Sequence, residues 1–125
     1  DGWDTAMKTV IQANTYWDEA YTLQDVELHG IRGITQDDIR AAAAAGEVWC
    51  MVGRAVQQPD GGLKLTAGPE RLPASHPLAR AHWSDKVLWM RTRTQGEQVH
   101  HCIGASASGT PGNMFLDLVT IAREL

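Results

Sequence analysis

The chain has 125 residues, 43% of them apolar and 21% charged, with a net charge of −4. That length fits one domain with its own core, held without disulfides or a metal, and the mix excludes a disordered chain. The eleven Lys and Arg are scattered, which excludes a nucleic-acid partner, and no apolar run nears the roughly 20 residues of a membrane span.

Residues 1–17 read as a helix. Trp3, Ala6, Met7, Val10, Ile11 and Ala13 recur close to a 3.6-residue period. Asp1 is expected to cap it, and Asp4 suits the positive end of its dipole. A second short helix is predicted from the Thr22 cap through Gln24, Asp25, Val26 and Glu27 to Leu28, stopped by Gly30. Residues 30–34 form an extended link. Thr35 then caps a third helix, with Asp38 three residues on as a capping-box variant and Gly46 at the C′ stop after the alanines 41–45.

Beyond Gly46 the pattern turns to strands. Residues 47–57 are rich in Val, Trp, Cys and Met, Pro59-Asp60-Gly61-Gly62 is a turn, and residues 63–67 return as the partner. Pro69, Pro73 and Pro77 mark an irregular stretch. Residues 86–94 and 98–103 form a second strand pair about a turn at Gln95-Gly96-Glu97. A small-residue loop, 104–109, leads to a last helix, with Thr110 as N-cap and Pro111 at N1. Helices first, then two hairpin-like pairs and a closing helix, predict an α+β domain spanning 1–125. Its sheet should be mostly antiparallel, with helices packed on one face.

Asp4 and Lys8 carry the most chemistry. Four residues apart on a helix, their Cβ atoms lie about 5–6 Å apart on one face. An acid and an amine so placed can bind a small polar substrate and handle its proton. The plainer alternative is a surface ion pair worth roughly 0.3–0.5 kcal/mol. The five Trp residues are expected in the core or at an interface. Cys50 and Cys102, isolated from each other, read as buried thiols of a cytosolic chain. His100-His101-Cys102 does not make a metal site, because alternate strand residues face opposite sides and further ligands are missing. His29 and His82 read as polar surface residues without a sequence partner, and His76 as a structural loop residue. The 104–109 loop, set before a helix, is a weak candidate for an anion.

Several motifs together resemble the catalytic domain of the homoserine dehydrogenases. Asp1-Gly2-x-Asp4-x-Ala6-x-Lys8 resembles that domain's opening. Gly30-Ile31 with Ile34-Thr35-x-x-Asp38-Ile39 is similar to a second family segment, and His76-Pro77-Leu78-Ala79 to a third. The 104–109 loop with Thr110 and Asp117-Leu118 resembles the family's glycine-rich turn and last helix. The resemblance covers nearly the whole chain, in order. It implies an oxidoreductase acting between L-homoserine and L-aspartate 4-semialdehyde with NAD or NADP. It implies Lys8 as the catalytic proton carrier, and Asp4, Gly2 and Thr110 as substrate contacts. It also implies a cytoplasmic homodimer joined through the sheet, with no nucleic-acid or membrane partner.

The chain departs from the family pattern in places. It has no Gly-x-Gly-x-x-Gly after a strand, so the nucleotide-binding part is expected elsewhere and the chain reads as a fragment, inactive alone. The family's acidic substrate residue would precede Asp1. Asp85-Lys86 replaces the family's Asn-Ala, and serines enter the 104–109 loop. These last changes admit a second expectation, a divergent non-catalytic dimerisation or small-molecule-sensing module.

Overall fold

A computed structural model describes residues 1–104 and 109–124. Two compact units make up the chain, Asp1–Ala79 and Arg80–Leu125. The first holds helix α1 (Trp3–Trp17), a single 3-10 turn at Leu23–Asp25, strand β1 (Val26–Leu28), helix α2 (Gln36–Ala44), and strands β2 (Glu47–Gln57) and β3 (Leu63–Pro73). The second holds strands β4 (Lys86–Thr92) and β5 (Gly96–Cys102) and helix α3 (Gly109–Glu124). This is the expected α+β class, with the strands divided between a three-stranded sheet, order β1-β3-β2, and the β4-β5 pair.

Local signals set several boundaries. Thr35 Oγ1 accepts from the Asp38 amide at 3.2 Å, while Asp38 Oδ2 accepts from the Thr35 amide at 2.8 Å. Gly46 follows in the left-handed region at φ 71°, closing α2 as the sequence predicts. The turn between β2 and β3 needs Gly61 at φ 94° and is tightened by the Asp60 carboxylate accepting from the Gly62 amide.

Tertiary structure overrides other readings. The predicted helix at 22–28 is one capped 3-10 turn followed by β1, which runs parallel to β3 with Val26 opposite Leu65 and Leu28 opposite Ala67. Burying Val26 in the sheet outweighs the Thr22 cap, which holds only that turn. β3 also continues past Ala67 to Pro73. Ala67 gives its carbonyl to the His29 amide, so Pro69, two residues on, directs its nitrogen to the same side, where β1 has ended. No ladder bond is lost there.

Ladder partners share a face, so Trp49, Met51, Gly53 and Ala55 of β2 lie on the side that carries Leu65 and Ala67 of β3. α1 packs there through Ala6, Thr9 and Ala13. α2 lies on the same side, its Asp38 carbonyl accepting from the Trp49 indole at 3.4 Å. Both helices therefore cover one face of this sheet, as predicted. The core is built from Ala6, Ala13, Val26, Leu65 and Ala67. Its small side chains let the helix lie close to the strands. None of the five Trp residues is buried, and Trp3 and Trp83 are plainly exposed, so of the expected core or interface placements the core one fails. A large indole has no room where helix and sheet meet through alanine and glycine.

The capping carboxylates make the fold sensitive to acid. Hydrogen bonds from the Thr35 hydroxyl and amide hold Asp38 below the ordinary value of 3.8, and those from Thr22 do the same for Asp25. A depressed carboxyl contributes stability above its unfolded-state value, and that contribution is lost as pH falls through the folded-state value. Thermal midpoints should therefore drop as pH falls below about 4, and Asp38→Asn should flatten part of that acid limb. Parallel curves for the variant and the parent would count against the cap.

Candidate functional site

Gly2 is the N-cap of α1, with φ 91° and no side-chain cap bond. The positive φ favours glycine here, and a Cβ would also displace the ends of the Met51 and Leu28 side chains, 2.6 and 2.9 Å away. Asp1 does not cap the helix as expected. Its carboxylate instead accepts from Arg32 Nε at 2.7 Å and Nη2 at 3.1 Å. Sequence reading missed this contact because the partners stand 31 positions apart, with no local pattern to link them.

Asp4 and Lys8 meet as the i, i+4 geometry predicts, with Lys8 Nζ donating to Asp4 Oδ2. Their side chains are 76% and 52% exposed. The pair lies on the face of α1 turned away from Ala6, Thr9 and Ala13, beside the exposed apolar row Trp3, Met7 and Ile11. Neither residue lines the apolar hollow formed by Ile31, Ile34, Ile39 and Trp49. Gly2, Asp4 and Lys8 therefore share the head of one helix, on an open surface of this unit. Thr110 belongs to α3 in the second unit, one residue inside a helix that begins at Gly109 rather than capping it. Its side chain lies outside the described residues, as does the structure of 105–108, where the anion candidate falls.

The second unit contains a polar cluster around Asp85. Its carboxylate accepts from the Gly104 amide at 2.8 Å and the His82 amide at 3.2 Å, and pairs with His101 Nε2 at 3.1 Å. The Gly104 bond, then those from His101 and His82, hold Asp85 below the usual carboxylate range. His101 is thus tied to an acid, and no group of three or more metal-ligating side chains exists among the described residues. His29 does have a partner, Glu27, at 3.0 Å. His76 is a loop residue whose Nδ1 accepts from the Leu78 amide. Cys50 is half-buried, and burial pushes its thiol up; Cys102 is exposed rather than buried. Cys102 ends β5, one of only two strands in its sheet, which leaves it at a sheet edge and explains the exposure.

A family model described as homoserine dehydrogenase matches residues 1–119. The NAD(+)-dependent homoserine dehydrogenase of Pseudomonas canavaninivorans is 28% identical over 124 residues, covering 99% of this chain and 35% of its own length. The homoserine dehydrogenase of Bacillus subtilis (strain 168) is 28% identical over 126 residues, covering 100% of this chain and 29% of its own. The chain thus spans about a third of the length of these relatives. Among solved structures, the homoserine dehydrogenase from Thiobacillus denitrificans superposes with a TM-score of 0.88 at 22% identity, over 98% of this chain and 28% of that one. A homoserine dehydrogenase from S. aureus gives 0.87 at 24% identity, over 100% of this chain and 31% of that one. At such identities these two structures speak for the fold.

Proposed function

The chain belongs to the homoserine dehydrogenase family, and from that premise we propose that it forms the substrate-binding and dimerisation part of an oxidoreductase interconverting L-homoserine and L-aspartate 4-semialdehyde with NAD or NADP. The observation that carries this reading is the family match over residues 1–119, a stretch whose opening helix α1 bears Asp4 and Lys8 side by side. The Asp4 carboxylate receives the substrate ammonium. Lys8 takes the proton from the hydroxyl when homoserine is oxidised and returns it in the reverse direction. Gly2 starts the helix that carries both residues, its backbone at φ 91° setting the first turn.

The residues described do not fit a dinucleotide cradle. That cradle needs a parallel strand feeding a glycine-rich turn and a helix, whereas β5, which precedes the 104–109 stretch, runs antiparallel to β4. The grip on NAD or NADP is therefore assigned mainly to sequence outside residues 1–125, and no step here is routed through it. Homodimer contact is assigned to the three-stranded sheet, where Val48 and Val56 expose apolar surface on the face away from α1. No helix among the described residues is long and apolar enough to cross a membrane, and the proposed setting is the cytoplasm.

The 125-residue chain alone is expected to give no NADPH oxidation with aspartate semialdehyde. Measurable turnover by this chain would overturn its assignment as a partial enzyme. The mutual pairing of Asp4 and Lys8 on an open helix face favours a second reading, a non-catalytic dimerisation or small-molecule-sensing module. Calorimetric titration of the complete polypeptide with homoserine, with and without nucleotide, separates the two. Homoserine binding that nucleotide strengthens supports the enzyme, and no binding of either supports the module.

A further inference from the structure

Three features converge on the entry to α1. Its N-cap, Gly2, offers no side-chain acceptor to the first turn, so the turn that carries Asp4 lacks the local restraint a Ser, Thr or Asp would give. Arg32 occupies a tight turn closed by the Ile34 amide donating to the Ile31 carbonyl at 3.0 Å. From there its guanidinium makes two parallel bonds to Asp1, a planar fork on a carboxylate that fixes orientation as well as distance. The same link runs beside the helix entry: a Cβ on Gly30 would sit in ordinary contact, 3.7 Å, with both Cα and the carbonyl oxygen of Asp1.

We propose that Arg32 is a positioning residue for the Asp4–Lys8 site, fixing the entry angle of α1 through Asp1. The inference rests on the reading of Lys8 as the proton carrier. Neither Arg32 nor Asp1 touches substrate in this scheme. The first intrahelical bond, from the Ala6 amide to the Gly2 carbonyl at 2.9 Å, lies immediately beyond Asp1, and Asp4 sits inside the turn it closes. Releasing the fork lets Asp1 and Gly2 rotate and carries Asp4 and Lys8 out of line with the reacting atoms. Because the fork is exposed, its effect comes from direction more than from binding strength.

The test uses the complete polypeptide. Arg32→Ala should speed hydrogen exchange at the Ala6 amide about tenfold while leaving the Ala13 amide unchanged. The same variant should lower kcat about tenfold for the amino-acid substrate, with the nucleotide KM unmoved. Arg32→Lys keeps the charge without the fork and should recover only part of the loss. Asp1→Arg combined with Arg32→Asp should recover most of it. If Arg32→Ala fails to fold, Asp1→Asn reads the same contact. Unchanged exchange at Ala6 overturns the clamp. Faster exchange with kcat held within about twofold overturns the positioning role, while loss of turnover in Lys8→Ala leaves the reading of Lys8 standing. Full turnover by Lys8→Ala removes that reading, and this inference with it.

Discussion

Lys8→Ala in the complete polypeptide should lower kcat by about 10²–10⁴-fold, the usual contribution of a positioned acid–base group. The fold should barely register the change. Lys8 is half exposed and its only described ion-pair partner is Asp4, itself 76% exposed. Surface pairs of this geometry contribute about 0.3–0.5 kcal/mol, so the thermal midpoint should shift little. That separation between a large kinetic and a small thermodynamic effect is the signature of a chemical role. Lys8→Arg sharpens the test, because guanidinium keeps the charge and the contact to Asp4 but does not give up its proton. Retained turnover in Lys8→Arg would assign the position an electrostatic role. Wild-type turnover in Lys8→Ala would remove Lys8 from the chemistry altogether.

Gly53→Ala should destabilise the first unit by roughly 2–3 kcal/mol, at the upper end of the usual cost of overpacking. The glycine lies in β2 where α1 crosses it, and a Cβ there would stand 2.0 Å from Thr9 Oγ1 and 3.3 Å from Thr5 Cγ2. Thr9 is 5% exposed, and its hydroxyl donates to the Thr5 carbonyl at 2.9 Å, so it has little freedom to withdraw. Alanine also gains about 0.5–1 kcal/mol over glycine by restricting the unfolded chain, and the clash must exceed this before any loss is seen. Thr9→Ala added to Gly53→Ala removes the colliding oxygen and should restore part of the loss. Chemical denaturation midpoints measure both. A single variant as stable as the parent would mean that α1 can ride away from the sheet without cost.

The two effects differ because they act on opposite sides of the same helix. Thr9 faces Gly53 and the core, while Asp4 and Lys8 face outward from the same two turns. Packing on the inner side sets how α1 lies on the sheet. The outer side carries the proposed ligand chemistry, and the proposed role of the contact between Arg32 and Asp1 is to set its pitch.

Sequence by itself determined what depends on neighbours three or four positions apart. The Thr35–Asp38 box and Gly46 fixed α2, Pro59 to Gly62 fixed the β2–β3 turn, and the spacing of Asp4 and Lys8 placed them on one helix face. Each is a short-range contact or a backbone preference that a few residues satisfy among themselves. Motif order from Asp1 to Leu118 likewise made the family legible before any coordinate. Tertiary structure alone decided the rest. It turned 26–28 into a parallel strand, carried β3 through Pro69, split the strands into two sheets, kept every Trp out of the core and joined Arg32 to Asp1. Those outcomes depend on partners far apart in the chain, and their energies come from burial and close approach that no local window contains.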